Sequence, residues 1–168
     1  NRMDGALGYV SWLWNNRGNA LEWTKRFFDL PGLNVPMTTD IRLRQIGGWR
    51  QYTHSATTGA WLAHHFYLHW QFSRDRQFLE TMAWPWIRDC AVFLEAVTAE
   101  KDARGKRSLP LSSSPEIHDN KPRAWFPVMT NYDNALIRWN FRTAAELARE
   151  VGQPEEAERW EKALSEMP

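Results

Sequence analysis

The 168-residue sequence is long enough for one domain with a real core and too short for two large ones. Its 21 Lys and Arg balance 20 Asp and Glu to a net charge of +1 without a basic cluster, so nothing favours nucleic acid or an anionic membrane as a partner. The unusual total is eleven tryptophans: part must be core, and flat indole faces that stack on sugars are the functional alternative for the rest.

The opening residues, NRMDGALGYV, lack the charged start, apolar centre and small-residue cleavage site of a signal peptide. The chain does not begin with Met and starts inside what reads as a helix, so we expect a piece of a longer protein, with its cellular location open. Leu7, Val10 and Trp14 follow helical spacing; Asn15 to Asn19 interrupts it, and Leu21, Phe27 and Phe28 supply a second apolar face. Asp29 to Ser55 carries turn chemistry in Pro31-Gly32, Asn34, Pro36, Asp40 and Gly47-Gly48, with a short strand or turn at Ile41–Ile46. A helix from Gly59 to about Phe72 follows, with Thr57 or Thr58 as N-cap. Asp75 then caps a long helix to about Ala99, which Pro85 should kink near Ala83. Cys90, the single cysteine, excludes a disulfide framework and reads as a buried small hydrophobe. Lys106–Leu111 is a candidate short strand. The last two helices are predicted over Tyr132–Val151 and Glu155–Glu166, joined by Gly152 as C′ residue and Pro154 at N1. Helices joined alternately by short turns and long loops predict helical hairpins with the long loops gathered on one rim.

The stretch Leu109 to Asn134, LPLSSSPEIHDNKPRAWFPVMTNYDN, has no helical period. Its Trp125, Phe126, Met129 and Tyr132 are poor composition for a disordered linker. It reads as an ordered loop that presents polar groups. Glu116, with Pro115 restricting the backbone before it, is the leading catalytic candidate: a carboxyl partly desolvated beside tryptophan is tuned toward general-acid work. The alternative is an ordinary surface glutamate. Asp133 reads either as a further site carboxylate or as a first-turn residue of the next helix. His64, His65 and His69 share one helix, but the run His-Phe-Tyr-Leu-His lacks the glutamate of a zinc-protease helix and no third ligand is evident, so no metal and no cofactor is expected. His54 and His118, in the two long loops, are better placed to meet sugar hydroxyls.

Taken in order, Gly59-Ala60-Trp61-Leu62, Phe66 to Trp70, Asp75-Arg76-Gln77-Phe78-Leu79, Trp84-Pro85-Trp86 and Ser112-Ser113-Ser114-Pro115-Glu116 resemble the catalytic domain of glycoside hydrolase family 95, the α-L-fucosidase-type six-hairpin glycosidases, over about residues 29–151. The resemblance implies an all-α fold, part of an (α/α)6 toroid, with residues 1–168 as the central portion of a catalytic domain. It also implies inverting hydrolysis of an O-glycosyl bond, α-L-fucoside or α-L-galactoside in type, with Glu116 as general acid and the water-activating carboxylate beyond Pro168. Inversion needs roughly 6.5–9.5 Å between those groups to admit the water. An oligosaccharide or glycoconjugate is the implied substrate, and the remainder of the catalytic domain is the implied partner. Trp49, Tyr52, His54, Trp61, His118 and Trp125 are the candidate sugar contacts by loop position and side-chain type. The run Gly48-Trp49-Arg50-Gln51-Tyr52 departs from the fucosidase pattern and leaves the sugar open. The rival reading is a non-catalytic helical module that holds carbohydrate or a partner on its aromatic rim.

Overall fold

The computed structural model describes residues 3–114 and 116–168. Helix α1 (Met3–Asn15) and α2 (Arg17–Phe28) come first, then a one-turn helix α3 (Arg50–Thr53) and α4 (Thr58–Ser73). A rod follows in three parts: α5 (Arg76–Phe78), a π-turn at Leu79–Ala83, and α6 (Trp84–Val97). After a long loop with a 3₁₀ turn at Pro122–Ala124 come α7 (Asn131–Glu150) and α8 (Pro154–Ser165). The predicted interruption at Asn15–Asn19 narrows to Asn16, whose side chain donates to the Trp12 carbonyl at 2.8 Å. The π-turn answers the expectation of a kink before Pro85. That residue has no N–H to give to the previous turn, and the Trp84 N–H reaches back to the Leu79 carbonyl instead.

Ile41–Ile46, open between strand and turn, forms a turn, the strand expected at Lys106–Leu111 does not form, and the described residues hold only isolated bridges. At Ile41–Ile46 the Asp40 carboxylate accepts the Arg42 and Arg44 N–H groups at 2.7 and 3.0 Å, so a side chain closes a turn where a strand would need a partner. At Lys106–Leu111 the backbone is spent on the end of α8: Arg107 N–H donates to the Glu166 carbonyl at 2.9 Å, and its guanidinium donates to the Glu166 carboxylate at 2.8 Å.

The helices form two layers. In one, α4 packs against α1 on one side and α7 on the other; behind them α6 lies against both α4 and α7, and α8 backs α7. Apolar side chains close the space between layers, with Phe66 stacked on Trp86 at 4.6 Å and Phe141 parallel to Trp160 at 6.2 Å. Four of the eleven tryptophans, Trp70, Trp84, Trp86 and Trp160, belong to this core, while Trp49 and Trp61 are exposed. Leu7 of α1 and Leu68 and Phe72 of α4 also remain exposed. No described helix is long and apolar enough to cross a membrane. The short turns at Arg74–Asp75 and Val151–Gln153 lie at one end, and the long loops 29–57 and 98–130 at the other.

The first long loop is anchored where Leu33 N–H donates to the Asp89 carbonyl of α6 at 2.9 Å. Gly32, at φ +85°, makes that approach: a Cβ there would stand 2.4 Å from Phe93 N and 2.5 Å from Asp89 O. In the full-length protein Gly32→Ala should cost about 3 kcal/mol, combining a left-handed alanine with backbone overlap that no rotamer relieves. Urea unfolding checks this, and an unchanged midpoint would contradict it.

Candidate active site

The two long loops meet above the starts of α4 and α7, and buried hydrogen bonds hold them there. Asn34, in the first loop, is fully buried. Its Oδ1 accepts the Gly59 N–H at 2.9 Å and its Nδ2 donates to the Ser55 carbonyl at 2.8 Å, while Thr24 Oγ1 accepts its backbone N–H. Asn34 thus supplies an acceptor to the first turn of α4 from outside the helix. Thr57 occupies the N-cap position, but its side chain makes no capping bond and donates instead to Asp133 at 2.8 Å. The cap expected from Thr57 or Thr58 is replaced because a buried carboxylate holds the Thr57 hydroxyl.

Asp133 is the third residue of α7, in the first-turn position foreseen, where Thr130 caps its N–H at 3.2 Å. It is 4 % exposed and accepts hydroxyls from Thr57, from Ser112 at 2.7 Å and, more loosely, from Thr130 at 3.4 Å. Burial pushes its carboxyl above the usual range, opposed by those hydroxyls and by a backbone hydrogen bond from Ser113. The Tyr132 hydroxyl beside it is pushed up to about 12, chiefly by burial. This cluster is a clamp beneath the loop and not a second carboxylate facing substrate.

Above the clamp runs the stretch that carries Glu116. Pro115, expected to restrict the Glu116 backbone, lies outside the described residues. Glu116 is exposed and stands at the edge of a groove of about 520 Å³ lined also by Tyr9, Met37, Thr38, Tyr52, Thr58, Trp61, Leu62 and His65. The expected desolvation beside tryptophan is therefore absent. Tyr52 shares that groove, and its hydroxyl is held above its ordinary value by burial, then by the charge of Glu116 and a hydrogen bond to it. Trp61 offers an indole that is 49 % exposed, set edge-on to Tyr132 at 5.8 Å. Trp49 stacks on Tyr52 at 5.4 Å and extends the aromatic surface away from the groove.

The remaining candidates are not gathered there. His54 is turned aside: its Nδ1 lies 2.8 Å from the Arg50 carbonyl, and its ring packs edge-on against Phe27 and Trp125. Trp125 lines a tight cleft under the loop with His54 and Asp133. His118 is exposed on the loop surface and is not among the groove's lining residues. In their place the groove holds Tyr9, Thr38 and His65. Burial, and then the charge of the neighbouring His64, hold His65 below its usual value. The sequence signal for it was its position four residues after Trp61, on the same face of α4. The three histidines of α4 diverge: His64 stacks on Trp139, His65 lies against Tyr9, and His69 packs on Phe78. Gly48, at φ +104°, brings the first loop against Thr38, where a Cβ would fall 2.6 Å from the hydroxyl.

Paired helical layers with long loops on one rim and an aromatic groove between those loops define a section of a six-hairpin, (α/α)6 glycosidase fold. A solved structure from the human microbiome that carries the name kojibiose phosphorylase has this fold. It is similar to the chain with a TM-score of 0.72 at 14 % sequence identity, over 99 % of this chain and 25 % of that one. The chain thus spans about a quarter of that protein's length. No curated protein matches the sequence. The glycosyl hydrolase family 95 catalytic domain matches residues 7–168, and the chain belongs to that family.

Because the Asp133 carboxyl is raised in the folded state above the ordinary 3.8, its ionisation opposes folding at neutral pH. The stability of the wild type relative to Asp133→Asn should therefore rise as pH falls through the raised folded value and level off below 3.8. Asp133→Ala, which removes the acceptor of the Thr57 hydroxyl and the nearer acceptor of the Ser112 hydroxyl, should cost about 3 kcal/mol at pH 7. Chemical denaturation of the full-length variants at several pH values tests both; a difference that is flat or falls with acid contradicts the first.

Proposed function

We propose that this chain is the acid-bearing portion of a family 95 catalytic domain, that the whole enzyme hydrolyses an O-glycosyl bond with inversion, and that Glu116 is its general acid. The observation that carries the reading is the convergence of Glu116 with Tyr52, Trp61 and His65 in one open groove. A sugar there meets an aromatic face, neutral hydrogen-bonding groups and one carboxylate. Glu116 protonates the glycosidic oxygen as the bond breaks, and water attacks the opposite face of the ring. The water-activating carboxylate comes from another part of the protein, at a separation of roughly 6.5–9.5 Å. We propose α-L-fucosides and α-L-galactoside-type glycosides as substrates, on an oligosaccharide or glycoconjugate. The same groove without a reacting partner would serve a carbohydrate-binding module, and the experiment separates the two.

With the full-length protein, a natural disaccharide and the matching aryl glycoside are assayed with and without inorganic phosphate. Glu116→Gln should lower kcat on the disaccharide by about 1,000-fold and on the aryl substrate, whose leaving group needs less protonation, by about tenfold. Equal turnover by both proteins would remove Glu116 from the acid role. Saturable sugar binding with no turnover by the wild type would favour the module. Formation of a sugar phosphate only when phosphate is present would replace water with phosphate as the nucleophile.

A further inference from the structure

The loop that bears Glu116 has an unusual backbone. Glu116, His118 and Asp119 stand at φ of 62°, 60° and 54°, all in the left-handed region, and none is glycine. Each such residue costs about 1 kcal/mol against its relaxed conformation, so the loop keeps its shape only where other groups hold it. Its own backbone offers little: Ile117 N–H reaches the Ser114 carbonyl at 3.3 Å, and Lys121 N–H reaches the His118 carbonyl at 3.4 Å.

The holding groups come from α3, across the rim. Gln51 is 3 % exposed and lies beneath the loop. The amide orientation that satisfies both neighbours has Oε1 accepting the Glu116 N–H at 3.2 Å and Nε2 donating to the Asp119 carbonyl at 3.0 Å. One planar amide thereby spans Glu116 to Asp119, a segment in which three of the four residues are left-handed. The residues on either side of it also engage the loop. The Arg50 N–H donates to Asn120 Oδ1 at 2.9 Å, and Tyr52 faces the Glu116 carboxylate. Gln51 does not line the groove, so it has no direct access to a ligand there.

We propose that Gln51 is a positioning residue for Glu116: its buried amide fixes the strained backbone from which the acid projects, and so sets where the carboxyl meets the leaving-group oxygen. The proposal rests on the reading of Glu116 as general acid. Without the amide the segment relaxes toward ordinary φ values and the carboxyl moves. Displacement of a catalytic group by about 1 Å costs on the order of 100-fold in rate.

The test uses the full-length enzyme and compares wild type, Gln51→Ala, Gln51→Glu and Glu116→Gln on the natural disaccharide and on aryl glycosides of graded leaving-group acidity. Gln51→Ala should lower kcat on the disaccharide about 100-fold with KM changed less than about threefold, and the loss should shrink steadily as the leaving group becomes more acidic. Gln51→Glu keeps the acceptor for the Glu116 N–H and should retain more of the disaccharide rate; should Gln51→Ala fail to fold, the same leaving-group comparison is made with Gln51→Glu. A loss equal on all substrates, or confined to KM, would overturn the positioning role, because a general packing defect has no reason to follow leaving-group acidity. Normal turnover by Gln51→Ala beside an inactive Glu116→Gln would defeat this proposal alone. Normal turnover by Glu116→Gln would defeat the acid assignment beneath it.

Discussion

The rim depends on one buried carboxylate. Asp133 takes hydroxyl hydrogens from Thr57 before α4 and from Ser112 in the second long loop, and so fastens both stretches to the start of α7. An ionised carboxylate suits this because it accepts only, on two oxygens, and every group around it arrives as a donor. Burial works against it, as the raised carboxyl shows, and the gathered hydroxyls offset that cost without cancelling it. Ser112 sits four positions before Glu116, so the acid-bearing segment leaves a fixed point. Asn34 does the matching work for the first loop by bonding the α4 backbone at Gly59. With both loops pinned to the helix starts beneath them, the rim behaves as part of the scaffold.

Periodicity and breakers made most of the helical plan legible. The ends of α4, α7 and α8 fall within a residue or two of expectation, Asp75 caps where foreseen, and Pro85 produces a π-turn over the residues just before it. Those features depend on interactions within a few positions along the chain. What was misread depended on distant groups. The Thr57 hydroxyl chooses between its own helix and a carboxylate 76 positions away, and sequence alone gives no weight to the second choice. The strand expected at Lys106–Leu111 had acceptable composition but no neighbouring strand to pair with, whereas Ile41–Ile46, open between strand and turn, became the turn.

The site was legible in part for the same reason. Long-loop position led to the region where the two loops meet, and Glu116, Tyr52 and Trp61 share a groove there. Loop position does not say which way a residue faces, however. His54 and Trp125 turned under the loop to pack on each other, and His118 stayed outside the groove. Tyr9 and His65 entered from the helices below, where side-chain direction follows from helical spacing once the groove side of α4 is known.

The carboxylate proposed as general acid is exposed, which raises a question of precision. A buried acid is located by the atoms packed around it, whereas a solvated side chain samples its rotamers and is located only as well as its backbone allows. Glu116 is of the second kind within this chain, so its placement must come from φ and ψ at its own Cα and from Tyr52 at its tip. A relaxed extended or helical segment would offer several nearly equal backbone shapes. A left-handed, non-glycine segment offers one, provided buried groups oppose its strain, because escape from that basin breaks the hydrogen bonds at both ends together. On the proposed roles of Glu116 and Gln51, strain in the loop and burial beneath it are two halves of one device, giving a surface loop the rigidity that a general acid requires.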